Sequence, residues 1–147
     1  MRSKGYKKAR AKSAARVRAL DVYMAQAISE TVDEVHQAGR ENIDAMTTRR
    51  SGRLRKWYRK SIRLKSARGL VGYLTRTARG KTGAFYARFV HDGTSKTQAK
   101  PFHDHAVLEV EGKHAGRMRA ALARALSGKA APSGLARTGG HQEKDVG

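Results

Sequence analysis

The sequence contains no cysteine and few acidic residues, and both shortages limit what the chain can be. Without cysteine it has no disulfide bonds and no thiolate metal sites, which agrees with assembly in the cytoplasm. No stretch reaches the roughly 18 consecutive apolar residues of a membrane span. The basic N-terminus also lacks the apolar segment of a secretory signal. With 147 residues the chain has room for one modest core, so we expect a single domain and no membrane partner.

Positive charge is what the sequence has in excess. There are 32 lysines and arginines against 12 aspartates and glutamates, a net charge of +20. Residues 1–20 hold eight bases and no acid, residues 21–47 hold six acids and one base, and residues 48–102 hold sixteen bases and one acid. A chain this basic is expected to bind polyanions at low salt. The separate acidic and basic blocks further predict a charged partner or a neighbouring subunit.

Composition divides the chain into three predicted parts. Residues 1–15 are mostly lysine, arginine, serine, glycine and alanine, and predict a flexible basic arm. Residues 16–127 form the single folded domain. Residues 128–147, rich in glycine, alanine and charge, predict a flexible tail.

Two helices are predicted from apolar residues at helical spacing. The first runs from Arg16 to Met46 and the second from His103 to Leu126. Gly112 and Gly116 lower the intrinsic stability of the second helix, so we expect it to depend on packing against a sheet.

Three strands are predicted between these helices, over residues 57–64, 70–75 and 84–91. Residues 66–69 would connect the first two as a hairpin, with Gly69 supplying the turn geometry. The predicted fold is therefore α+β: a long N-terminal helix, a small, mainly antiparallel sheet of three to four strands, and a C-terminal helix packed on the sheet.

No group of residues is typical of a catalytic, cofactor or metal site. Cysteine nucleophiles and a Gly-x-Ser-x-Gly motif are absent, and the glycines at 80–83 lack the spacing of a phosphate loop. His103 and His105 would share a face only in an extended chain, and with Asp104 they fit the polar start of a helix better than a metal site. We predict no enzyme activity, no cofactor and no metal.

The segment from Phe85 to Phe102 carries the most specific pattern. Asp92-Gly93-Thr94 ends an apolar run, and Gly93 is expected to take a positive φ that a side chain would penalise. Pro101 disfavours α geometry at the residue before it and so fixes the entry to the second helix. These features predict a rigid scaffold that presents a polar loop to a partner.

The same segment resembles a known family. The pattern Tyr86-Ala-x-Phe-Val-x-x-Gly-Thr94, followed by Ala99-x-Pro-Phe102, is similar to that of the small neck or tail-completion proteins of long-tailed bacteriophages and prophages. Upstream, Ser51-Gly-x-Leu-Arg55 and then Ser61-Ile62 resemble that family's entry into its first strand. The resemblance covers roughly residues 48–106.

This resemblance implies a virion structural protein at the head–tail junction, assembled in the host cytoplasm. It would form a ring, usually sixfold, around the DNA channel, and its partners would be itself, neighbouring neck and tail proteins, and passing double-stranded DNA. Two alternatives stay open: a sequence-nonspecific nucleic-acid-binding accessory protein, and a tail terminator in the same neck.

Three sets of site residues follow from these expectations. The loop expected to contact a subunit or partner comprises Gly93, Thr94, Ser95, Lys96, Pro101 and Phe102. The acidic face expected to meet a basic neighbouring subunit comprises Glu30, Asp33 and Glu34. The cations expected to contact DNA or another polyanion are Lys4, Lys7, Lys8, Arg10, Lys12, Arg76, Arg79 and Lys81.

One further pair has two interpretations. Trp57 and Tyr58 lie among cations and could stack nucleic-acid bases. Alternatively, Trp57 anchors the core and the cations alternate with it toward solvent. The strand alternation favours the core interpretation.

Overall fold

The computed structural model describes residues 4–48, 52–73 and 86–128. In these ranges the chain is α+β, as predicted, with four α-helices and one two-stranded sheet. The elements in chain order are α1 (Lys4–Met46), α2 (Arg53–Trp57), β1 (Arg59–Arg63), β2 (Arg68–Gly72), α3 (Ala87–Asp92) and α4 (Phe102–Leu126).

Helix α1 is longer than the sequence predicted. It begins at Lys4 rather than near Arg16, so residues 4–15 continue the same helix. Alanine, lysine and arginine are strong helix formers, which accounts for the extension. Every side chain from residue 4 to residue 18 is exposed. Buried side chains begin near the middle of the helix, with Tyr23 and Ala27.

Strands β1 and β2 form the predicted antiparallel hairpin, with Ser61 opposite Leu70. The turn differs in detail, because a 3₁₀ turn over Leu64–Ser66 connects the strands and Ala67 takes the positive φ of 45°. Gly69 instead lies inside β2, where an added Cβ would overlap the side chain of Val32 on α1. The missing side chain of Gly69 therefore lets the hairpin approach α1 closely.

The predicted third strand over residues 84–91 is wrong. Residues 87–92 form the short helix α3, so the described part of the chain has two strands rather than three or four. Ala87 is buried and Val90 packs on the core, whereas Phe89 is 55% exposed. A strand would have placed Phe89 on the same face as Ala87. The helix instead turns Phe89 outward.

The core consists of two clusters along α1. The first surrounds Tyr58 and Phe102, which are 2% and 1% exposed, and includes Ile43 and Leu54. The second is formed where Tyr23 and Ala27 of α1 meet alanines of α4. Most of α4 therefore lies along α1, while Phe102 at its start contacts Tyr58 and Tyr73 at the ends of the hairpin. No helix in the described ranges combines the length and apolar character needed to cross a bilayer.

Candidate contact loop and charged surfaces

The segment from Gly93 to Lys100, called the contact loop below, is closed at both ends by backbone hydrogen bonds. Thr94 and Thr97 exchange two of them, at 2.9 and 3.2 Å. The amide of Lys100 donates to the carbonyls of Val90 and His91, both at 3.1 Å. These bonds tie the end of the loop back to the end of α3, so the loop has a defined shape.

Gly93 permits this closure. Its φ of 78° and ψ of 179° lie in a region that is essentially restricted to glycine. A Cβ at this position would stand 2.7 Å from the amide nitrogen of Ala99 and 2.9 Å from the carbonyl oxygen of Thr97. The backbone conformation and the lack of room for a Cβ therefore both require glycine. The positive φ is the one that the sequence predicted.

The loop residues face solvent, but not all of the predicted contact residues do. Thr94, Ser95 and Lys96 are exposed. Pro101 is half-buried with a φ of −76° and precedes the first residue of α4. Phe102 is 1% exposed in the core, so its assignment as a contact residue was wrong. Its ring holds the returning chain in place while the loop itself is available to a partner.

A histidine links α3 to the start of α4. Nδ1 of His91 donates to Asp92 at 2.7 Å, and its Nε2 lies 3.5 Å from a carboxylate oxygen of Asp104. The hydrogen bond from His91, assisted by Arg88, lowers the pKa of the Asp92 carboxyl. Asp104, which the sequence analysis considered together with His103 and His105, thus makes a local contact at the base of the loop. Among the described residues, no three histidines and acids are grouped as metal ligation requires.

Tyr58 is the centre of a second polar group, inside the core. Its hydroxyl lies 2.7 Å from Nδ1 of His103, and its carbonyl accepts a hydrogen bond of 3.0 Å from Nε2 of His36. The ring of His36 stacks on that of Tyr58 with centroids 5.7 Å apart. Burial lowers the pKa of both histidines and raises the pKa of the Tyr58 phenol. Burial therefore favours the neutral form of each of these three groups.

The predicted acidic face is paired within the chain. A guanidinium nitrogen of Arg117 on α4 contacts Glu34 directly, and the Nε of Arg117 lies 3.9 Å from Glu30. Lys60 on β1 lies 2.8 Å from Asp33. These carboxylates join α1 to α4 and to the hairpin. The expectation that they face a neighbouring subunit's cations is therefore not supported, because cations of the same chain already occupy them.

The predicted DNA-contacting cations fall into two groups. Those near the N-terminus lie on the exposed first turns of α1, and they are Lys4, Lys7, Lys8, Arg10 and Lys12. Arg76, Arg79 and Lys81 lie outside the described residues.

The aromatic pair of the basic segment does not form an open stacking platform. Tyr58 is 2% exposed in the core. Trp57 is half-buried against the same core, and the guanidinium of Arg59 lies 4.9 Å from its ring centroid. Trp57 therefore packs on the core, although it does so from the end of helix α2 and not from a strand.

Sequence reasoning missed two features. Arg117 bridges α4 and α1. The only sign of this in the sequence was a cation beside the apolar positions of the second predicted helix. The second feature is the outer face of α4, defined by the exposed side chains of Leu108, Leu122 and Leu126. Their spacing of 14 and 4 residues places them on one side of a helix, which could have indicated a second apolar face.

Comparison with known proteins gives no relative from which a function could be transferred. No protein-family model matches the chain, and no match was found among curated proteins or solved structures. The interpretation of the contact loop therefore depends on its own geometry and on the motif resemblance.

Proposed function

We propose that this chain is a structural subunit of the head–tail junction of a long-tailed phage or phage-like particle. Copies of it form a ring around the DNA channel and bind neighbouring neck and tail proteins. The subunit acts without catalysis, and its place is in the virion after assembly in the host cytoplasm.

The observation that carries this proposal is the geometry of the motif. The residues that resemble the phage family divide into two roles: Ala87 and Phe102 are buried anchors, and Gly93 sets the backbone between them. Everything from Thr94 to Ala99 is exposed. An exposed loop of fixed shape on buried anchors suits a protein–protein contact, because little conformational entropy is lost when a rigid segment binds.

The outer face of α4 supports assembly by a separate argument. Leu108 is 68% exposed and Leu126 is 58% exposed, with Leu122 between them along the helix. Leu122 and Leu126 lie one helical turn apart, and association would cover the apolar surface that they expose. Since Glu30, Asp33 and Glu34 are paired within the chain, we assign subunit contact to the contact loop and this apolar face. In a ring, such a contact joins two different surfaces and closes by rotation.

Light scattering coupled to size-exclusion chromatography, with negative-stain imaging of the same fractions, tests this proposal. We expect the purified chain to form a closed ring of about six copies. Ser95→Trp places a bulky side chain in the contact loop and should disrupt the ring. Ser66→Trp makes the same change at the exposed turn of the β1–β2 hairpin and should preserve it.

Both variants should keep the thermal stability of the parent chain, since both positions are exposed. A parent chain that stays monomeric at every concentration would refute the ring. Equal effects of the two tryptophans would refute the role of the loop.

The two alternatives predict different behaviour. A nucleic-acid-binding accessory protein is favoured by the fully exposed basic segment of α1, and it would bind DNA without forming rings. A tail terminator would form rings too, and it would differ by its position, at the end of the tail tube rather than beside the head.

A further inference from the structure

The first fifteen described residues of α1, residues 4–18, form a basic extension of the fold. All of their side chains are exposed, and they include seven cations and no acid. At 1.5 Å per residue the extension is about 22 Å long. The nearest core contacts along the helix begin at Ala19 and Leu20, where α1 meets α4. Among the residues that the structure describes, neither core cluster includes a residue of the extension.

Four of these cations lie on one line. Lys4, Lys8, Lys12 and Arg16 are spaced four residues apart, so they follow one side of the helix with about 6 Å of rise between neighbours. Like charges at this spacing destabilise a helix in water. The first turn carries no acid, and cations there oppose the helix dipole. A source of negative charge beside the extension would therefore stabilise its helix.

The composition of the extension indicates which kind of polyanion would bind it. A helix that lies on a lipid surface needs large apolar side chains opposite its cations. Here Tyr6 and Val17 are the only large ones, eleven residues apart. A protein partner would be expected to meet aromatic and arginine anchors, and lysine is depleted at such interfaces. A lysine-rich face of evenly spaced charges suits the regular phosphates of duplex nucleic acid.

We infer that the basic extension binds the phosphate backbone of duplex nucleic acid without reading its sequence, and that the phosphates stabilise its helix. This inference deepens the DNA contact of the proposed function and, as a statement about the virion, rests on it. The inference depends on the charge, exposure and spacing of the cations in the extension and not on ring formation. DNA binding and ring assembly can therefore be measured separately.

Two matched variants of the full chain test the inference. Lys4→Gln, Lys8→Gln and Lys12→Gln together remove three charges from the extension. Arg63→Gln, Lys65→Gln and Arg68→Gln together remove three charges from the exposed tip of the β1–β2 hairpin. Their affinities for two duplexes of unrelated sequence are measured by fluorescence anisotropy across a salt series.

We expect the slope of log affinity against log salt to decrease by about 2.7 in the extension variant, since each phosphate contact contributes about 0.9. In the hairpin variant the slope should stay close to that of the parent chain. Both duplexes should bind equally. Hydrogen exchange of the amides in residues 4–18 should become slower when duplex is added to the parent chain, and should slow less in the extension variant, which keeps four of the seven cations.

Several results would overturn the inference: equal losses in the two variants, a preference for one duplex, or exchange that the duplex does not change. Tighter binding of the extension to anionic phospholipid vesicles than to duplex would also do so. Light scattering on the same samples separates the two proposals, because a chain that binds duplex through the extension but forms no ring contradicts only the proposed function.

Discussion

At the scale of single residues, a few positions hold the contact loop and the core in their observed geometry. Gly93 combines a backbone conformation open only to glycine with a site that has no room for a Cβ. Gly39 also has no room for a Cβ, because an added Cβ would overlap the ring of Tyr58. These glycines act in different ways: Gly93 shapes the loop, and Gly39 lets α1 approach the central tyrosine.

The first residue-scale prediction concerns Gly93. Replacing it with alanine should lower the free energy of unfolding by about 1 to 3 kcal/mol, because the left-handed backbone is strained for any side chain. Gly112→Ala is the matched control, since nothing lies within 4 Å of a Cβ there. That change should raise stability by about 0.5 to 1 kcal/mol, the helix preference of alanine over glycine. Urea unfolding of both variants provides the comparison, and equal values for the two would contradict this account of the loop.

The second residue-scale prediction concerns pH. Burial lowers the pKa of His36 and His103 from the ordinary value of 6.5, so the unfolded chain binds more protons than the folded chain just below that pH. Stability should therefore fall as the pH decreases through 6.5 toward the lower pKa values of the folded state. The lowered pKa of Asp92 acts in a separate window, below its ordinary 3.8.

Melting temperatures measured from about pH 8 to about pH 5 test this effect. A double variant with His36→Gln and His103→Gln should show a flatter dependence than the parent chain. If the parent chain is equally stable throughout this range, the two histidines are not held neutral by the fold.

At the scale of elements, ion pairs join α1 to α4 and to the hairpin. Arg117 contacts Glu34 and lies near Glu30, while Lys60 of β1 pairs with Asp33. Since these acids form ion pairs within the chain, reversing their charge should lower the stability of the fold before it affects assembly. This differs from the sequence-based expectation of a charge contact between subunits.

Glu34→Lys tests the element-scale account. It should cost about 1 to 2 kcal/mol of stability, because it removes a charged hydrogen bond and places a cation beside Arg117 and Lys113. Glu109→Lys makes the same charge change at an exposed position of α4 and should cost far less. Chemical denaturation of the two variants decides the matter, and a fully stable Glu34 variant would show that the acids are not structural.

The elements also show how far sequence patterns could predict this fold. The two long helices and the hairpin were found because their apolar residues repeat over enough turns or pairs to fix a period. Residues 84–91 were mistaken for a strand because a short run that contains Tyr86, Ala87 and Val90 fits a strand and one helical face equally well. Tertiary packing decided between them. The start of α1 was placed too late because an extension with no apolar face offers no periodicity to detect.

At the scale of the whole molecule, α1 organises the chain. Its 43 residues give a length of about 64 Å, and α4 with 25 residues covers only part of it. One end of α1 supports the hairpin and the contact loop, and the other end carries the basic extension. The candidate loop was predictable from its glycine and proline signals. The burial of Phe102 and the internal pairing of the acids were not, because both depend on which elements meet in space.

Mass spectrometry of purified phage-like particles from the host that carries this gene tests the central claim most directly. If the chain is a ring subunit of the head–tail junction, its peptides should remain with intact particles after DNase treatment. Their amount should correspond to about six copies per particle, as one closed ring requires. Particles that contain the other head and tail proteins but lack these peptides would contradict the proposed function.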